Sequence, residues 1–198
     1  MKKAFLFIGG VVAAFGVAVY FFPNVIPGNS ITSMFASVGG ATPGATSAAE
    51  TIVDVPTEPV PPLEKAYTNQ KYRFGVKIPT NFTVRELPPD ESNGSSIVFE
   101  NPQGGGVQIY ITPDPDKNTT LTADQVRASI PDMRVVDEQD VDIGTDGSKG
   151  VAFKSNNDAF ERNSREVWFY FHGNLYQIST YARFDPLLKA MFGTWQFF

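Results

Sequence analysis

From Tyr67 onward, apolar and polar residues alternate with the two-residue period of half-buried strands. In YRFGVKIP the apolar set is Tyr72, Phe74, Val76 and Ile78, and in VQIYIT it is Val107, Ile109 and Ile111. SSIVFE precedes VQIYIT across NPQGGG, which predicts strand, turn and strand. MRVVDEQDVDIG and KGVAFKS, joined by TDGS, predict another pair. REVWFYFHGNLYQISTYA predicts a hairpin turning at Gly173–Asn174, and TWQFF a last strand. VWFYF is apolar on both faces, which places it centrally, covered from both sides. Two stretches change period. LTADQVRASI predicts a helix capped by Thr122 with Leu121, Val126 and Ile130 turned inward. FDPLLKAMFG predicts a short helix with Asp185 as cap, Pro186 in the first turn and Gly193 at the stop. Short turns imply antiparallel pairing. The expected class is therefore α+β: an antiparallel β-sheet with two short helices in an α-β-α sandwich over residues 67–198.

The first 66 residues follow different patterns. Lys2 and Lys3 precede an uncharged run from Ala4 to Phe22, long enough to cross a bilayer core at about 20 residues. No Lys or Arg recurs before Lys65, so the positive-inside bias puts the N-terminus in the cytoplasm and the rest outside. Residues 1–22 read as a retained signal-anchor, with the membrane as partner through residues 4–22. Tyr20, Phe21 and Phe22 supply interfacial aromatics. The alternative is a cleaved signal, with Gly16-Val17-Ala18 before the cut and a mature chain starting at Val19. Residues 23–66 are rich in Gly, Ala, Ser, Thr and Pro and read as a linker, stiffer where Pro56, Pro59, Pro61 and Pro62 cluster. Within it, Ile31, Met34, Phe35 and Val38 have the spacing of one helical face. Two turns are too short to be stable alone in water, which leaves a transient helix or one lying on the outer membrane surface.

Composition narrows the chemistry. The 198 residues include no cysteine, which excludes a disulfide scaffold, a thiolate metal site, a Cys nucleophile and a lipoprotein anchor. The net charge of −5 and the lack of a basic stripe argue against nucleic acid as a partner. His172 is the one histidine, at the rim of a hairpin turn, so no multi-His metal site can form. DEQDVDIGTDG fails the EF-hand spacing, whether counted from Asp140 or from Asp142. NPQGGGV lacks the Lys-Ser/Thr pair and the following helix of a phosphate loop. Asn81, Asn93 and Asn118 begin Asn-x-Ser/Thr sequons and fit exposed turns. No catalytic set, metal or cofactor site can be assembled. The expected role is a non-catalytic binding or assembly module outside the membrane, with a protein or small-ligand partner. The candidate partner surface is Trp168 and Tyr170, which share a strand face, together with His172. The competing reading is a weak hydrolase using the carboxylates Asp140, Asp142 and Asp146.

YRFGVKIPTNFTV resembles the opening strand of PsbP-like domains, with alternating apolars, a proline and then an aromatic before the next strand. FDPLLKAMFGTWQFF is similar to their closing helix and Ser/Thr-aromatic-x-Phe strand, and FHGNLYQI fits their middle hairpin. The resemblance covers about residues 66–198. It implies an α-β-α sandwich and an extrinsic, partner-binding role at a membrane. It carries over no metal ligand and no contact residue.

Overall fold

The computed structural model describes Ile52, residues 54–145 and residues 147–198. The expected span at 4–22, most of the linker with its apolar patch at residues 31–38, and Asp146 lie outside the described residues. Among the described residues, no helix is long and apolar enough to cross a membrane.

The strands are β1 (Lys65–Asn69), β2 (Phe74–Ile78), β3 (Thr83–Glu86), β4 (Ser95–Glu100), β5 (Gly106–Pro113), β6 (Val135–Ile143), β7 (Ser148–Ser155), β8 (Ser164–Phe171), β9 (Asn174–Tyr181) and β10 (Gln196–Phe197). The helices are α1 (Ala123–Ser129), between β5 and β6, and α2 (Asp185–Phe192), between β9 and β10. All strand pairs are antiparallel, so the chain is α+β as expected. The strands form two sheets rather than one. Seven run in the order β3-β4-β5-β9-β8-β7-β6, and three in the order β1-β2-β10. The closing strand pairs with β2, not with the large sheet, through Gln196↔Gly75 and Phe197↔Phe74.

The alternation read from sequence sorts side chains onto two faces of the large sheet. Ile97, Phe99, Val107, Ile109, Ile111, Val167, Phe169, Tyr176 and Ile178 point to one face. They share a core with α2 and the small sheet through Leu187, Leu188, Met191, Phe74 and Trp195. The opposite face is covered only in part, by α1. Leu121, Val126 and Ile130 pack there on Val151, Phe153 and Trp168. β8 is apolar on both faces because it lies under both covers.

Thr122 caps α1 as expected, in a reciprocal capping box. Its hydroxyl accepts from Gln125 N at 3.3 Å, and the Gln125 side-chain oxygen accepts from Thr122 N at 2.8 Å. Thr122→Ala should destabilise the domain by about 1 kcal/mol, a melting shift of roughly 3–5 °C. An unchanged melting curve would mean that α1 contributes nothing to the cooperative unit.

Two local expectations are corrected. The β8–β9 turn is His172–Gly173, one residue earlier than expected, because Asn174 already pairs with Phe171. Both turn residues have positive φ, 46° and 71°, as a two-residue hairpin of matching twist requires. Asp185 does not cap α2. A single 3₁₀ turn, Ala182–Phe184, runs directly into the helix, so Asp185 is already helical at φ −52° and ψ −43°. Its carboxylate instead pairs with Arg165 at 3.0 Å and Lys189 at 2.7 Å.

Candidate functional site

A groove of about 330 Å³ lies between α2 and the outer strands β6, β7 and β8. Its apolar walls are Val141, Ala152 and Val167 from the sheet, and Leu188 and Phe192 from α2. Its polar groups are Arg165, Asp185 and Lys189, with Gln139 and Asp142 on β6. A bulge in β6 builds this floor. Val136 faces Lys154 and Gln139 faces Ala152, so β6 uses three steps where β7 uses two. The extra residue reverses the facing pattern. Val135 therefore packs under α1, while Val141 and Ile143 turn to the α2 side. Asp137, in the bulge at φ 54°, pairs with Lys154 at 3.0 Å.

At the end of the groove near Arg165, an extended segment crosses the domain. Glu58 N donates to Arg183 O at 2.9 Å, and the Glu58 carboxylate pairs with the Arg183 guanidinium at 3.0 Å. Asp54 pairs with Lys154 at 2.6 Å. Hydrogen bonds that the Lys154 ammonium donates to Asp54 and then Asp137 raise it above its ordinary value. At the other end, Gly144 lets β6 approach the closing segment. A Cβ there would lie 2.6 Å from Trp195 O, and φ is +66°.

The three residues expected to form a partner surface are near one another in sequence but differ in setting. Trp168 is buried beneath α1, edge-on to Phe153 at 5.5 Å between ring centroids. Tyr170 is half-buried beside it. Burial, then the charges of Asp114 and Asp116, raise its phenol above the ordinary value. His172 is exposed in the hairpin turn and stacks on Phe171 at 4.0 Å. That ring continues the stack to Phe197 at 3.6 Å. Trp168 and Tyr170 do share a face, and His172 lies beyond its end. Of the acidic residues behind the hydrolase reading, Asp140 and Asp142 are exposed on the edge strand β6, and Asp142 pairs with Lys149.

Sequence reasoning missed Glu166. It lies on the same β8 face as Trp168 and is 2% exposed. Its carboxylate accepts from Ser164 Oγ at 2.8 Å, Asn157 Nδ2 at 3.2 Å, Ser155 Oγ at 3.4 Å, Trp168 Nε1 at 3.5 Å and the Ser179 hydroxyl. Burial raises its pKa above the ordinary value, against the pull of those donors. The signal was present in SREVWFYF, where Ser164, Arg165 and Glu166 open a central strand that is otherwise apolar or aromatic.

No protein-family model and no curated protein matches this sequence. Among solved structures, the fold is similar to the solution structure of cyanobacterial PsbP from Synechocystis sp. PCC 6803. The TM-score is 0.52 at 16% identity, over 68% of this chain and 92% of that one. The described domain has a PsbP-like fold. A crystal structure from Bacteroides thetaiotaomicron VPI-5482 aligns at TM-score 0.40 and 11% identity, over 69% of this chain and 49% of that one. At such identities the likeness is one of fold.

Proposed function

We propose that this chain is a non-catalytic binding or assembly module, held outside the cytoplasm by its N-terminal apolar segment, with the groove beside α2 as its binding surface. The groove itself carries the reading. It is open and mostly apolar, with a partly buried ion pair at one end, and the β6 bulge shapes it. A concave apolar site with a few placed polar groups is the usual form of a binding pocket. The PsbP-like fold, the acidic net charge and the Lys2-Lys3 apolar opening support the same role.

Two experiments test it. Protease added outside intact cells should cut the linker and release a folded fragment, whereas a fully protected chain would remove the extracytoplasmic placement. Val141→Trp should block the groove and reproduce the phenotype of deleting the gene, at unchanged protein level and melting temperature. Glu91→Trp, on an exposed turn away from the groove, should behave as the parent. A fully functional Val141→Trp would exclude the groove as the working surface.

A further inference from the structure

We infer that the groove selects a small organic anion, one carboxylate on an apolar body, through the unfilled guanidinium fork of Arg165 assisted by Lys189. The inference rests on the groove reading above and names the ligand class of that site.

Arg165 projects from β8 to the α2 side, and its side chain is only 8% exposed. A guanidinium carries five N–H donors and accepts nothing. Among the described residues, its side chain has one partner, Asp185, in an ion pair in which Nε lies 3.0 Å from Oδ1 without hydrogen-bond geometry. The terminal nitrogens that form the fork make no ion pair among the described residues, and the residue lines the groove. The fork opens to the groove rather than being sealed in the core, so an anion entering the groove exchanges solvent for a charge-assisted pair.

Charge decides which group. Asp185 is shared between Arg165 and Lys189, at 3.0 and 2.7 Å, so two cations face one carboxylate. The other acidic lining residue, Asp142, is exposed and pairs with Lys149. The Arg165 end therefore keeps one uncompensated positive charge. The planar fork matches a carboxylate in a bidentate pair. Next to it, Val141, Ala152, Val167, Leu188 and Phe192 form a wall with no polar side-chain atom. A neutral apolar molecule would leave the fork empty, and a simple inorganic anion would leave the wall wet. The 330 Å³ volume lies at the small-molecule end of the range for ligand sites, about 300–1,000 Å³. That size favours a compact ligand over a peptide helix.

The test uses the full-length chain in phosphatidylcholine nanodiscs, with empty nanodiscs correcting for partition into lipid. The probes are 4-phenylbutyrate and its neutral counterpart 4-phenylbutan-1-ol. Binding is read from the methyl signals of Val141, Val167 and Leu188. The acid should bind at least tenfold tighter than the alcohol. Lys189→Gln, at a two-thirds exposed side chain on the rim, should weaken the acid several-fold and leave the alcohol unchanged. Arg165→Gln should abolish the preference. If that variant does not fold, the Lys189 variant still decides. Val141→Trp should prevent both probes from binding. Equal affinity for the two probes, silence of those methyls with both, or insensitivity of the acid to Lys189→Gln would overturn the inference. Should the Val141→Trp phenotype hold while the acid fails to bind, the ligand class falls and the groove reading stands.

Discussion

Trp195→Ala is expected to unfold the domain or to lower its melting temperature by roughly 10–20 °C, the equivalent of about 3–5 kcal/mol for a buried tryptophan. Trp195 is 1% exposed and joins the two sheets. Its ring stacks on Phe74 of the small sheet at 4.5 Å with an 8° interplanar angle. It meets Phe169 of the large sheet edge-on at 6.1 Å and stacks on Phe192 of α2 at 5.5 Å. Truncation opens a cavity at the meeting point of three elements, where no single neighbour can collapse to fill it. A domain of this size has about 5–15 kcal/mol in total, so the loss is a large share. Deleting residues 194–198 should do the same and also remove the β10 pairing with β2. A partner-docking role for this tail would leave the isolated domain's melting unaffected by deletion. Calorimetry of the parent, the Trp195→Ala chain and the truncated chain separates the two outcomes.

Glu166 should make stability depend on pH in the direction opposite to most carboxylates. Burial raises its folded pKa above the unfolded value near 4.5. The folded state therefore keeps a proton that the unfolded state releases. This contribution is fully present below the unfolded pKa and is lost as pH rises through the folded one. The donors around it are hydroxyls, an amide and an indole, and among the described residues no cation pairs with it to hold the charged form. Glu166→Gln keeps the shape and removes the titration. It should melt near the parent at pH 4 and above it at pH 8. Glu166→Ala should be less stable at every pH, because the Ser179 hydroxyl loses its acceptor at about 1–3 kcal/mol and the buried carboxyl leaves a cavity, while Ser155 and Ser164 keep each other as partners. Denaturant melts of the three proteins from pH 4 to pH 8 give the answer. If the Gln variant and the parent track each other across that range, the carboxyl is not held protonated.

What residue order settled by itself was local. Phe74, Val76 and Ile78, or Val107, Ile109 and Ile111, alternate strictly, because a strand half-buried in a sheet leaves no other pattern. Thr122 and Gln125 sit three apart, and that spacing alone makes a capping box. The PsbP-like opening and closing segments were legible for the same reason, being runs of neighbours in sequence. The lysine pair and apolar run at the start belong to this class too, as a statement of hydropathy.

The groove required contacts far apart in sequence. The bulge at Asp137 reverses the facing of β6, and only the register against β7 shows which side Val141 takes. Asp185 reads as a cap from its place before Pro186, but the preceding 3₁₀ turn draws it into the helix, where Arg165, 20 positions away in sequence (185 − 165), claims its carboxylate. Glu166 was visible as a charged residue at the head of a buried central strand, but its hydroxyl ring draws on β7, β8 and β9 at once. Propensity and periodicity act over a few residues along the chain. A groove is the space left between elements after they pack, and its shape is set by long-range register, which no local pattern encodes.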